Sequence, residues 1–250
     1  MQRLTPRTRQ LRFMSRPSPS SQVTGRQILS VLSVGGVGLG ALYLGIFGLA
    51  KMRALDDIGT GLIDISAGVF AYAVFLAAVW VIVVRPSQNS WAHVGLRRCD
   101  PSLFWIGGFL ACLWVGISSA LYAAFGLWEL ALAAGAGLVA PFRDDTVALV
   151  GFFVLAGPIA ALVEEVLFRG MLYGWLRQRM GITVAAIISA LLFTAAHFYI
   201  FAAGPVFVLE MTGLAVLLAL LYETSRSLWP GILCHALHNV LLLSLYLYRG

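Results

Sequence analysis

The chain has 250 residues, of which 60% are hydrophobic and 11% charged, and its mean hydropathy is +0.89. A soluble domain carries about 25% charged residues, so composition excludes a soluble globular class and leaves a membrane protein. The net charge is +6, yet the arginines are scattered through short loops and a tail, with no basic stripe interleaved with aromatics. That excludes nucleic acid as a partner and leaves the lipid bilayer.

Residues 1–26 contain six arginines and no acidic residue, around the run Ser15-Arg16-Pro17-Ser18-Pro19-Ser20-Ser21. They read as a disordered basic tail, with an organelle transit peptide as the open alternative. Seven apolar runs follow, at 28–50, 62–84, 103–126, 147–178, 182–201, 205–223 and 228–248, each near the ~20 residues that a spanning helix needs. The expected fold is therefore all-α and polytopic, with about seven transmembrane helices. The fourth run is too long for one straight span, and Gly157-Pro158 predicts a kink in it, because proline lacks the backbone donor and clashes with the preceding turn. Residues 127–146 are a weaker apolar stretch, expected as a loop with a short interfacial helix. With the amino terminus in the cytoplasm, thirteen of the Lys and Arg residues fall inside and four outside. The positive-inside rule then places the carboxyl terminus outside.

Against this background the stretch Gly157–Gly170 stands out, because it sets Glu164, Glu165 and Arg169 in one of the most apolar parts of the chain. A charge at bilayer depth costs about 2.5–3.5 kcal/mol on insertion scales. Arg169 follows Glu165 by one helical turn and neutralises it on the same face. Glu164 points about 100° away and is left without that partner. A salt-bridged helix end is the bland reading of this stretch. Further along, the fifth run carries His197, and the seventh carries His235 and Asn239, four apart on one helix face. Counted from the basic helix ends at 1.5 Å per residue, Glu164, His197, His235 and Asn239 lie at heights of roughly 14–24 Å, in one layer. Glu210 and Asp64 sit near helix ends and are expected to be structural, and His238 is an additional histidine without an assigned role. Cys99, Cys112 and Cys234 form no spaced framework and are expected as thiols.

Glu164-Glu165-x-x-x-Arg169, Phe193-x-x-x-His197 and His235-x-x-x-Asn239 together resemble the three motifs of the CAAX-protease and bacteriocin-processing membrane peptidases. The resemblance covers about residues 155–245, including Ser-Leu-Trp-Pro-Gly before His235, and leaves the first 145 residues unmatched. It implies a catalytic core in the last four helices, residues 146–250, preceded by helices 1–3 and a loop at 27–145. Many members are bacterial, which implies the bacterial cell membrane. The activity implied is an intramembrane endopeptidase acting on a membrane-associated peptide or protein tail.

No serine or cysteine has suitable company: Ser189 lies two turns below His197, and Cys234 faces away from His235, which leaves water as the nucleophile. The resemblance implies Glu164 as its general base, His197 as an aid in holding or deprotonating the water, and His235 with Asn239 as oxyanion donors. Glu165 and Arg169 form the supporting pair. Glu164, His197 and His235 also match a zinc site with water in the fourth position. The metal-free mechanism is the favoured expectation, without a cofactor, since the His-Glu-x-x-His signature is absent. A non-catalytic scaffold or immunity protein on the same fold is the rival from another class. A transporter or haem protein is a weaker one, because no inverted repeat is present.

Overall fold

The computed structural model describes residues 23–51, 60–88, 90–197 and 204–249. Among them, apart from short 3-10 turns, the chain forms eight helices and no strand: α1 Gly25–Lys51, α2 Gly61–Ser87, α3 Pro101–Ala124, α4 Trp128–Val139, α5 Thr146–Met180, α6 Ile182–Ala196, α7 Pro205–Ser225 and α8 Trp229–Arg249. Six of these (α1, α2, α3, α5, α7 and α8) are long and apolar enough to cross a membrane. The protein is a polytopic all-α membrane protein.

Helix starts follow local chemistry. Thr24 and Gln27 form a reciprocal capping box, with Thr24 Oγ1 accepting from the Gln27 amide at 3.2 Å and Gln27 Oε1 accepting from the Thr24 amide at 2.9 Å. Helix α1 therefore begins at Gly25, inside the span expected as tail, and the rest of that tail, 1–22, lies outside the described residues. Asp100 caps α3 ahead of Pro101, and hydrogen bonds from the Ser102 side chain and backbone hold its carboxyl below the usual carboxylate range. Asp145 caps α5 through the Val147 and Ala148 amides.

Two of the expected elements differ. The stretch 127–146 contains a helix packed into the bundle, since Ala131, Gly135 and Val139 of α4 are buried. A Cβ on Gly135 would stand 2.2 Å from the Tyr246 ring, so the absence of a side chain is what lets α4 lie against α8. The fifth apolar run forms α6 over only fifteen residues. That is about 22 Å, short of the ~30 Å hydrocarbon layer. Residues 198–201 of that expected span lie outside the described residues.

Helix α5 widens where the kink was expected. Pro158 sits inside a π turn, Leu155–Ile159, and a second π stretch covers Val166–Tyr173. Such turns relieve the proline clash and re-aim the side chains that follow. The loops after α2, α5 and α7 meet at one end of the bundle. There Glu223 accepts from Tyr173 Oη at 2.7 Å and pairs with Arg177 at 3.3 Å and Arg226 at 3.0 Å, while Arg97 donates to the Arg226 carbonyl. Arg97, Arg177 and Arg226, three of the cations assigned to one face of the membrane by charge, meet at this end.

Helix α8 runs between α3 and α5 at close range. A Cβ on Gly107 would stand 2.2 Å from the Pro230 carbonyl oxygen, and one on Gly157 would stand 2.8 Å from Val240 Cγ2. Backbone cannot yield as a flexible side chain does. Gly107→Ala should therefore destabilise the bundle by ~1–3 kcal/mol, the usual range for overpacking. Thermal unfolding of purified protein in detergent checks this, and a midpoint equal to wild type contradicts the packing.

Candidate active site

Glu164 and Glu165 close the α-helical segment Ala160–Glu165, between the two π turns of α5. Neighbouring residues on a helix diverge by about 100°, and here that divergence separates two environments. Glu165 enters the packed interior and Glu164 faces a cavity.

Glu165 Oε1 accepts from Arg169 Nη1 at 2.8 Å and from His235 Nδ1 at 3.2 Å. Arg169 Nη2 donates to the Ala215 carbonyl at 3.0 Å, and its guanidinium carbon lies 4.4 Å from the centre of the Phe193 ring. Both charged side chains are 0% exposed. Glu165 Oε2 accepts no hydrogen bond and packs on Gly231, where an added Cβ would approach it to 3.2 Å.

Glu164 is 13% exposed at its side chain. Its Oε1 accepts from the Tyr72 hydroxyl at 2.8 Å. Its Oε2 lies 3.6 Å from His197 Nε2 and 3.8 Å from His235 Nε2, beyond hydrogen-bond length, and is buried without a hydrogen-bond partner. Each histidine is oriented through its other nitrogen. His197, which follows the last residue of α6, directs Nδ1 at the Phe193 carbonyl at 2.8 Å, and His235 directs Nδ1 at Glu165. Carbonyl and carboxylate oxygens only accept, so both Nδ1 atoms donate and both Nε2 atoms turn toward Glu164.

The cavity has a volume of about 550 Å³. Glu164, His197, Asn239 and Tyr72 supply its polar lining, and aliphatic residues of α1, among them Ile28, Val31 and Leu32, supply the opposite wall. Asn239 donates from Nδ2 to the Ala156 carbonyl at 2.8 Å, inside the π turn around Pro158. Neighbouring helices commonly satisfy the backbone groups that such turns release. One of the two amide N–H groups of Asn239 is thus used on α5.

The structure brings Glu164, His197 and His235 together, places Asn239 on the same cavity, and sets Glu165 with Arg169 behind it. Ser189 donates to the Phe168 carbonyl and Cys234 is buried in a cluster with Ala111, Leu214 and Leu218, so neither is a nucleophile here. Asp64 is exposed near the start of α2, and Glu210 is paired inside the bundle. Among the described residues no three His, Cys, Asp or Glu side chains are gathered as a metal-holding group. Tyr72 carried no signal in the sequence. A lone tyrosine between alanines in an apolar run looks like any helix-packing residue until α2 is seen beside α5.

Residues 146–241 match the family model described as type II CAAX prenyl endopeptidase Rce1-like. The stretch is similar to that family over these residues. The matched residues include Glu164, Glu165, Arg169, His197, His235 and Asn239, whereas Tyr72 and the α1 wall of the cavity lie outside them. No curated protein and no solved structure matches the chain.

A hydrogen bond to a charged group is worth about 1.5–3 kcal/mol. Tyr72→Phe removes the hydroxyl hydrogen bond on Glu164 Oε1 and should lower turnover about 10-fold or more, with folding intact. Steady-state cleavage by the purified variant checks this; unchanged turnover would show that the hydroxyl does not serve Glu164 in the reaction.

Proposed function

We propose that the protein is an intramembrane endopeptidase that hydrolyses a peptide bond in a membrane-associated peptide or protein tail. The observation that carries this reading is Glu164 Oε2, a buried carboxylate oxygen without a hydrogen-bond partner, flanked by two imidazole Nε2 atoms at 3.6 and 3.8 Å on the floor of an apolar-walled cavity. The attacking water is taken up by Oε2 and His197 Nε2 as the 3.6 Å gap between them opens, since at that separation the two atoms leave no room for a water in line. Its oxygen attacks the carbonyl carbon while Glu164 takes its proton. The carbonyl oxygen becomes an oxyanion, met by the remaining N–H of Asn239 and by the Nε2–H of His235 in its imidazolium form, whose Nδ1–H the Glu165 carboxylate holds. The tetrahedral intermediate then loses the amine as the C–N bond breaks, and the proton held by Glu164 passes to the leaving nitrogen. Enclosure in an apolar cavity strengthens each of these interactions.

The catalytic unit in this reading is 146–250. Residues 27–145 complete it, because α1 closes the cavity and α2 supplies Tyr72. The apolar α1 wall suits a substrate that reaches the site from lipid. The excess of cations at the end holding Arg97, Arg177 and Arg226 supports a cytoplasmic amino terminus and an external carboxyl terminus in a bacterial cell membrane.

Glu164→Gln and His197→Ala should each abolish cleavage while the protein remains inserted and monodisperse. Comparing membrane peptides from cells carrying wild type and Glu164→Gln should reveal products present only with wild type, and identical peptide sets would contradict the reading. Zinc on Glu164, His197 and His235 is tested separately. The metal-free mechanism predicts full activity after dialysis against a strong chelator, whereas loss of activity restored by zinc would replace it.

A further inference from the structure

A second polar cluster lies beside the active site, and the reaction described above does not use it. Glu210 of α7 accepts at Oε1 from Trp114 Nε1 at 3.2 Å and from Ser118 Oγ at 3.1 Å, both on α3. The same oxygen lies 3.2 Å from His238 Nε2 on α8. His238 Nδ1 in turn lies 3.3 Å from Asn239 Oδ1, and Asn239 Nδ2 donates to Ala156. The His238 side chain is 3% exposed and that of Glu210 is 11% exposed, so both spend charge or polarity in the interior of the bundle.

The two ends of this chain fix the direction of every link. The Ala156 carbonyl only accepts, so the amide nitrogen of Asn239 must face it and Oδ1 must face His238. Oδ1 only accepts, so His238 Nδ1 must donate. Glu210 Oε1 already takes two hydrogen bonds as an acceptor, so His238 Nε2 donates as well. A ring that donates from both nitrogens is an imidazolium, and the Glu210 carboxylate is its counter-ion. Reversing either link of Asn239 would set two like groups face to face, and reversing the Glu210 link would require a neutral, protonated carboxyl donating to a bare Nε2.

We propose that Glu210 and His238 are positioning residues, an ion pair anchored on α3 that locks the Asn239 amide with its oxygen turned away from the cavity and an N–H left for the oxyanion. This rests on the reading of Asn239 as an oxyanion donor. An unlocked amide can turn over and present its carbonyl to the cavity, where it would repel the oxyanion it is meant to receive. The cost falls on the transition state and leaves ground-state substrate binding alone.

The test uses the full chain in lipid nanodiscs. With 15N-histidine labelling and His238→Gln to assign the signals, both ring nitrogens of His238 should resonate as protonated at neutral pH in wild type. A bare nitrogen on His238 overturns the ion pair. Glu210→Gln keeps acceptors for Trp114 and Ser118, so it should fold. It should lower kcat by about 10- to 100-fold with KM within about twofold, less than the roughly 10²–10³ that follows outright loss of an oxyanion donor. In an Asn239→Ala background the same substitution should cost nothing further, because residues acting through one group are not additive. An equal fractional loss in both backgrounds would show a general structural role and overturn the proposal. If wild type shows no cleavage at all, the peptidase reading fails, and the histidine spectrum still decides the ion pair.

Discussion

The structure depends on one buried ion pair. Glu165 and Arg169 sit at 2.8 Å, both with no exposure, where an uncompensated charge would be expelled. Their mutual attraction alone does not repay the loss of hydration; further hydrogen bonds must satisfy what remains. Helices α7 and α8 each supply one, and α6 adds a ring contact, while Glu165 Oε2 and Arg169 Nε have no hydrogen-bond partner among the described residues. Helix α5 carries the pair, α6 lays Phe193 against the guanidinium, α7 offers the Ala215 carbonyl and α8 brings His235 to the carboxylate. The groups that surround the pair come from the same helices as the candidate site, and the matched segment 146–241 contains all of them.

The pair also separates structure from chemistry within two adjacent residues. Glu165 Oε1, which also accepts from Arg169, holds His235 in the orientation that turns Nε2 toward Glu164. Glu164, one residue earlier, escapes the pair by helix geometry and keeps an oxygen free for chemistry. The short helix α6 serves the same end, because it stops where His197 can tie back to Phe193 and face the same carboxylate oxygen. Outside the matched segment, α2 fixes the other oxygen of Glu164 through Tyr72, and α3 supports Glu210. Helices outside the matched segment thus contact the candidate site directly.

What the sequence made legible follows from how local each signal is. Spacing four apart on a helix revealed the Glu165–Arg169 pair and the common face of His235 and Asn239, since only helix geometry is involved. Depth counting from basic helix ends placed Glu164 and His197 in one layer. Features that need a neighbouring helix stayed hidden. Tyr72 is unremarked in an alanine-rich run, and Glu210, expected near a helix end, pairs with His238, Trp114 and Ser118 only once α3, α7 and α8 are packed. The short helix expected within 127–146 is present at Trp128–Val139, and what its Ala-Gly composition hid is that it packs into the bundle, with Gly135 against Tyr246. The fifth run read as a full span because apolar composition continues past the point where α6 ends.

The central claim is that Glu164 is a base and Glu165 a buttress, and paired unfolding and cleavage measurements on two isosteric variants test it most directly. Glu164→Gln should unfold at the wild-type temperature and show no cleavage. Glu165→Gln leaves Arg169 buried without its counter-charge and should lose roughly 3–5 kcal/mol of stability, seen as a large fall in the unfolding temperature. Equal destabilisation of the two variants, or cleavage surviving in Glu164→Gln, would contradict the division.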